Sequence, residues 1–225
     1  MKYEPAARLF VDSHLRRMRD AEWFNGLRSV PGIGYTGHPD VDRTKVPGYD
    51  TKPDITTFNV GEKEHVSVMW PMGDGGHTSQ SPASAWSRYG DARTAEPEDI
   101  IRSLYEALEL PGTISDYHFK MLGACGVLWS LRKRRPDLLA ELERILLLDV
   151  SLIQAHGENL VFEHNGDRHM PRVPAFDQLV ALYEREGFVH EALAIAKLAT
   201  AADQGAADEE RLLERLAALE AEDIA

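Results

Sequence analysis

Cysteine is almost absent from these 225 residues: Cys125 stands alone. A lone thiol forms no internal disulfide, so the chain is no disulfide-stapled scaffold. Its Gly-Ala-Cys-Gly setting reads as a small packed hydrophobe. Long apolar runs are missing as well, and no stretch approaches the roughly 18 residues that a membrane-crossing helix needs. Met1-Lys2-Tyr3-Glu4-Pro5 lacks the apolar core of a secretion signal. A cytoplasmic location is expected, with no membrane as partner. Positive charge is scarce, since 25 Lys and Arg against 37 Asp and Glu leave a formal net charge of −12. Binding of nucleic acid through bulk phosphate neutralisation needs the opposite balance.

Glycine and proline are scarce outside one region. Residues 28–97 hold 9 of the 17 glycines and 7 of the 12 prolines, so helices there are short or absent. Within it, 55–60 and 65–70 alternate and are rich in Thr, Val, Phe and Trp, which predicts a β-hairpin turning at 61–64. Residues 73–90 read as a loop, functional or disordered. Ahead of this region, 5–24 reads as a helix, with Val11, Leu15 and Met18 on one face and Arg8, Arg16, Arg17 and Arg19 on others. The chain divides accordingly into a loop-rich 1–95 and a helical 96–225.

The helical part has clear punctuation. Pro97 opens a helix over 97–110, with Glu98 and Asp99 in its first turn, and Pro111-Gly112 ends it. Ser115 is the expected cap of a helix to about 134, and Pro136 starts another to about 154. Asn165-Gly166 predicts a small hairpin in which Glu163 faces Arg168. Two helices, 174–186 and 189–203, follow, separated by Gly187 at a C-terminal cap. A last helix, 207–222, is expected to pack through Leu212, Leu213, Leu216 and Leu219 as an intramolecular cap.

Few motifs point to chemistry. Gly32-Ile-Gly34-Tyr-Thr-Gly37 has dinucleotide-loop letters, but Pro39 follows where a helix is required, so it reads as a loop. His164, Asp167 and His169 share one face of the 160–170 hairpin, and two imidazoles with a carboxylate suit zinc or iron. His77 has the pKa range of an acid or base, with no identifiable partner. Arg132-Lys133-Arg134-Arg135 lies where cations complement a helix C-terminus.

Phe176, Leu179, Tyr183, Gly187, Ala192 and Ala199 fall at the spacings of a tetratricopeptide helical hairpin, and residues 173–206 resemble one such unit. Val180, Ala196 and Gln204 depart from the family pattern. Its closing segment also resembles those of bacterial helical-repeat proteins. The resemblance implies a protein-binding groove, whose corresponding positions here are Asp177, Gln178, Ala181, Glu184 and Arg185.

The expected fold is mostly α, with helical hairpins, a loop-rich N-terminal part and one or two small β-hairpins. The leading function is a non-enzymatic protein-binding or adaptor protein without a cofactor. Two alternatives stay open: a metal-dependent hydrolase built on residues 156–169, and a small regulator touching nucleic acid through the N-terminal arginines.

Overall fold

The computed structural model describes residues 23–60, 63–160, 162–164, 167–169 and 171–223. The helix expected over 5–24 lies outside these residues except at its end, where Phe24 is strand rather than helix. Strand β1 (Phe24–Asn25) leads into a long irregular segment. The expected hairpin then forms from β2 (Asp54–Val60) and β3 (Lys63–Pro71), in register from Asp54↔Met69 to Val60↔Lys63. Alternation buries Val68 and Trp70 on one face of β3, while Ile55, directly opposite Val68 on β2, is exposed. Trp23 meets Trp70 edge-to-face at 4.6 Å.

Residues 73–90 hold two short elements. Strand β4 (His77–Thr78) pairs with Trp70 and Pro71, and helix α1 (Pro82–Ala85) is capped by Ser81. Helix α2 (Pro97–Leu108) begins at Pro97, as expected, with Glu98 and Asp99 favouring its dipole. Strand β5 (Pro111–Gly112) then returns to pair with β1.

Helix α3 (Ile114–Leu131) is capped by Thr113, not by the expected Ser115. The Thr113 hydroxyl accepts from the Asp116 backbone N–H at 3.2 Å, and the Asp116 carboxylate accepts from the Thr113 N–H at 2.8 Å. This reciprocal box satisfies two donors, which Ser115 alone does not. Gly123 and Gly126 stand inside α3, each weakening it by about 1 kcal/mol relative to alanine. A one-turn 3₁₀ segment at Pro136–Leu138 starts helix α4 (Leu139–His156). The short connection sets α4 antiparallel to α3.

Strands β6 (Phe162–His164) and β7 (Asp167–His169) pair in the expected register, Glu163 opposite Arg168. Helices α5 (Pro174–Glu186) and α6 (Val189–Ala201) follow as an antiparallel pair. Gly187 adopts φ +86° between them; its N–H bonds the Glu184 carbonyl and that of Phe188 bonds the Tyr183 carbonyl. Gln204 fastens this pair: it accepts from Val173 N–H at 2.7 Å and donates to the Pro171 carbonyl at 3.1 Å. Helix α7 (Ala206–Asp223) lies on α6. Leu212 is fully buried and Leu216 packs at the core edge, but Leu213 and Leu219 are exposed. Two of the four leucines expected to pack inward therefore do not. The buried cluster runs from Leu27 to Leu212, so the loop-rich N-terminal part contributes Leu27, Val30 and Val46 to the core that the helices share. None of the helices among the described residues is long and apolar enough to cross a membrane.

Candidate functional site

The five positions of the expected groove lie on α5, and most are engaged within the chain. Glu184 is clasped by two arginines of α7: Arg211 donates to both its oxygens at 2.7 and 2.6 Å, and Arg215 Nη1 reaches Oε1 at 2.6 Å. The Arg211 bond holds the Glu184 carboxyl below its ordinary value, with Arg215 adding to it against the opposing effect of burial. Asp177 accepts from Arg172 at 2.6 Å, across the entry to α5. Arg185 stands 3.5 Å from Glu186. Ala181 is exposed, and Gln178 Oε1 is buried without a hydrogen-bond partner. Glu184 thus acts as a strut between α5 and α7, which closes the layer.

What the layer leaves open is apolar. Phe188, at the α5–α6 turn, is 54% exposed, and on α7 Leu213 is 47% and Leu219 42% exposed. Helix α7 has 18 residues against 13 in α6, and the four-residue link from Ala202 to Gly205 makes the two antiparallel. The C-terminal turns of α7 therefore overhang the beginning of α6. That brings Leu219 to the end of the layer where Phe188 also lies. Sequence reading placed Leu213 and Leu219 inside and passed over Phe188. The apolar residue after a helix-capping glycine commonly folds back on the preceding helix, so nothing in the local pattern marks it as exposed.

The β6–β7 register pairs His164 with Asp167 and Phe162 with His169, so the three metal-candidate positions share one face of the ladder. Their side chains lie outside the described residues. Among the described residues no group of three His, Cys, Asp or Glu is placed to hold a metal ion. His77, without an expected partner, has one: its Nε2 lies 3.1 Å from Asp54 Oδ2 on the exposed sheet. Of the basic run, Arg132 donates to the Trp129 carbonyl at 2.6 Å, the helix-end role expected, and Arg135 bonds Glu98 and Asp137. The arginines of residues 5–24 lie outside the described residues.

Two closed polar clusters were not legible in the sequence. The glycine loop at 32–37 covers Glu109, whose side chain is fully buried, and Arg28 Nη2 lies 2.5 Å from its Oε2. Burial, then the Glu109 charge, pushes the Tyr35 hydroxyl above its ordinary range. His38 stacks at 4.3 Å on Tyr105, whose hydroxyl bonds Glu141. A Cβ on Gly37 would stand 2.8 Å from Arg28 Nη2 and 2.9 Å from Glu109 Oε1, so a larger residue there must displace the ends of both side chains. Between α3 and α4, His118 Nδ1 bonds Asp149 Oδ1 at 2.7 Å, and Cys125 is buried in the same interface. Burial pushes the Cys125 thiol up, the state of an inert rather than a nucleophilic cysteine. Glu109, His118 and Asp149 are sealed from solvent, and their chemistry is to join elements.

No protein-family model matches this chain, and neither the curated proteins nor the solved structures contain a match.

Proposed function

We propose that this chain is a non-enzymatic protein-binding or adaptor protein, and that its contact surface is the open end of the C-terminal helical layer. One observation carries the reading: Phe188 and Leu219, two large apolar side chains, stand exposed at the same end of a layer whose α5 and α7 are joined by the Glu184 clasp. Exposed aromatic and aliphatic anchors near a polar rim are the usual centre of a protein interface. Gln178, Ala181 and Arg185, spaced along one side of α5, lead up to Phe188 and would extend the surface. Glu184 and Asp177 serve it indirectly, by holding α7 and the entry to α5.

The test is affinity capture with the whole chain, repeated with Phe188→Ser combined with Leu219→Ser. A control carries Leu147→Ser, which removes another exposed apolar residue far along the chain on α4. A partner retained by the wild type and the control but lost by the double variant supports the reading. Partners held equally by all three chains, or none at all, would refute it.

A further inference from the structure

Helix α7 is attached to the layer more thinly than its length suggests. Among the described side chains of 209–221 only Leu212 is buried, with Glu209 and Leu216 half-buried and the rest exposed. Helices α5 and α6, each shorter, bury five and six residues. The polar attachment falls on one carboxylate. Arg211 and Arg215 both bond Glu184, and their side chains are 48% and 46% exposed. Charge pairs this exposed hold weakly.

The α5–α6 pair closes without it. Asp203 ends α6 at φ +58°, the one positive φ outside glycine among the described residues. The Gln204 N–H returns to the Ala199 carbonyl at 2.7 Å, while the Gln204 side chain is held by Val173 and Pro171. Gly205 comes next, with open space where a Cβ would stand. A fixed turn followed by glycine makes a hinge at the root of α7.

The clasp also shows what kind of helix fits the place that α7 fills. Arg211-Leu212 recurs four positions on as Arg215-Leu216, one helical turn apart. Both arginines therefore reach Glu184 while both leucines meet the core. The rest of α7 suits this place poorly. Residues 206–225 carry seven acidic groups around these two arginines, on a chain whose net charge is already −12. A helix with the same Arg-Leu repeat and fewer carboxylates complements Glu184 better.

We propose that α7 is a latch, displaced by a partner protein's helix that bears the pattern Arg-Leu-x-x-Arg-Leu. The incoming helix sets its two arginines on Glu184 and its leucines in the places of Leu212 and Leu216. Release about Gly205 takes Leu219 away from Phe188, so the incoming helix turns off the open-end surface. The latch rests on the contacts of α7 itself; only this last consequence rests on the surface proposed above.

Two measurements on the full chain test it. In native-state hydrogen exchange, the amides of α7 should open together, at denaturant concentrations well below those that open α5 and α6. In fluorescence anisotropy, a labelled peptide of residues 206–223 should bind the Leu212→Ala chain at least about tenfold more tightly than the wild type, because the weakened latch vacates its place more often. The peptide carrying Glu209→Gln, Glu210→Gln and Glu214→Gln should bind both chains more tightly still. With Arg211→Gln and Arg215→Gln it should bind neither. Amides of α7 that exchange only when α5 and α6 unfold would overturn the proposal, even if Leu212→Ala fails to fold. So would a peptide that binds the two chains equally, or a Leu212→Ala chain that takes up no peptide and exchanges α7 between copies as a dimer. Affinity capture with Phe188→Ser and Leu219→Ser decides the open-end surface separately.

Discussion

His118 Nδ1 and Asp149 Oδ1 stand 2.7 Å apart, with only 1% and 2% of their side chains exposed, and they join α3 to α4 across 31 residues of sequence. Burial pushes the Asp149 carboxyl up, and the bond to His118 draws it back. Removing either member alone leaves the other buried and unpaired. His118→Leu and Asp149→Leu should each destabilise the chain by about 3–5 kcal/mol. The double variant should cost far less than the sum of the two, because both polar groups leave together. Denaturant unfolding of the four chains measures the coupling; additive losses would show that the pair is not a unit.

Glycine is favoured at position 37 for two reasons, a φ of +98° and the approach of Arg28 and Glu109 side-chain ends to within 3 Å of any Cβ. Gly34 has a positive φ of +68° but open space around it. Gly37→Ala should therefore cost about 2–3 kcal/mol and Gly34→Ala about 1 kcal/mol. Thermal melts of the two variants separate conformational strain from collision. Equal losses would mean that the Arg28–Glu109 pair yields freely.

The Glu184 clasp makes the docking of α7 depend on pH. Its carboxyl is held below the ordinary 4.5 by Arg211 and Arg215. A depressed acid contributes stability that is complete above the unfolded value and is lost as pH falls through the folded one. Wild-type stability should thus drop below about pH 4.5, partly through this group. Glu184→Gln should lose about 1 kcal/mol at pH 7 and show a smaller drop in acid. Melting curves from pH 7 to pH 3 compare the two chains. An identical acid dependence would exclude the clasp as its source.

Neighbouring leucines on α7 should behave oppositely. Leu212 is fully buried, so Leu212→Ala should cost about 2–4 kcal/mol, whereas Leu213→Ala should be nearly neutral. Leu216, at the core edge, should not accept a charge, and Leu216→Asp should lower the stability of the monomer rather than merely change its oligomeric mass. Urea titrations with parallel mass measurements report both quantities.

Local signals made much of this fold readable. Pro97 and its acidic first turn marked α2, Gly187 marked the α5–α6 boundary, and Asn165-Gly166 set the β6–β7 register. Thr113 was missed because a capping box involves two residues, and Ser115 competes by residue type alone. The α7 leucine stripe is narrower than the sequence suggests, because Leu213 follows the buried Leu212 by one position and so turns away from it, while Leu219 lies where α7 extends past the shorter α6. Glu109 and Arg28 are 81 positions apart, so neither residue's burial is encoded nearby. The resemblance to a repeat hairpin implied five groove positions on α5 but said nothing of their partners within the chain. Glu184 and Asp177 were occupied by arginines outside the matched helix face.

Hydrogen–deuterium exchange of the chain, alone and in complex with a captured partner, tests the contact surface most directly. Binding at the open end of the C-terminal layer predicts new protection over 185–191 and 213–221, with little change in β2, β3 and α2. Protection confined to the hairpin or the N-terminal half, with 185–191 and 213–221 unchanged, would contradict it.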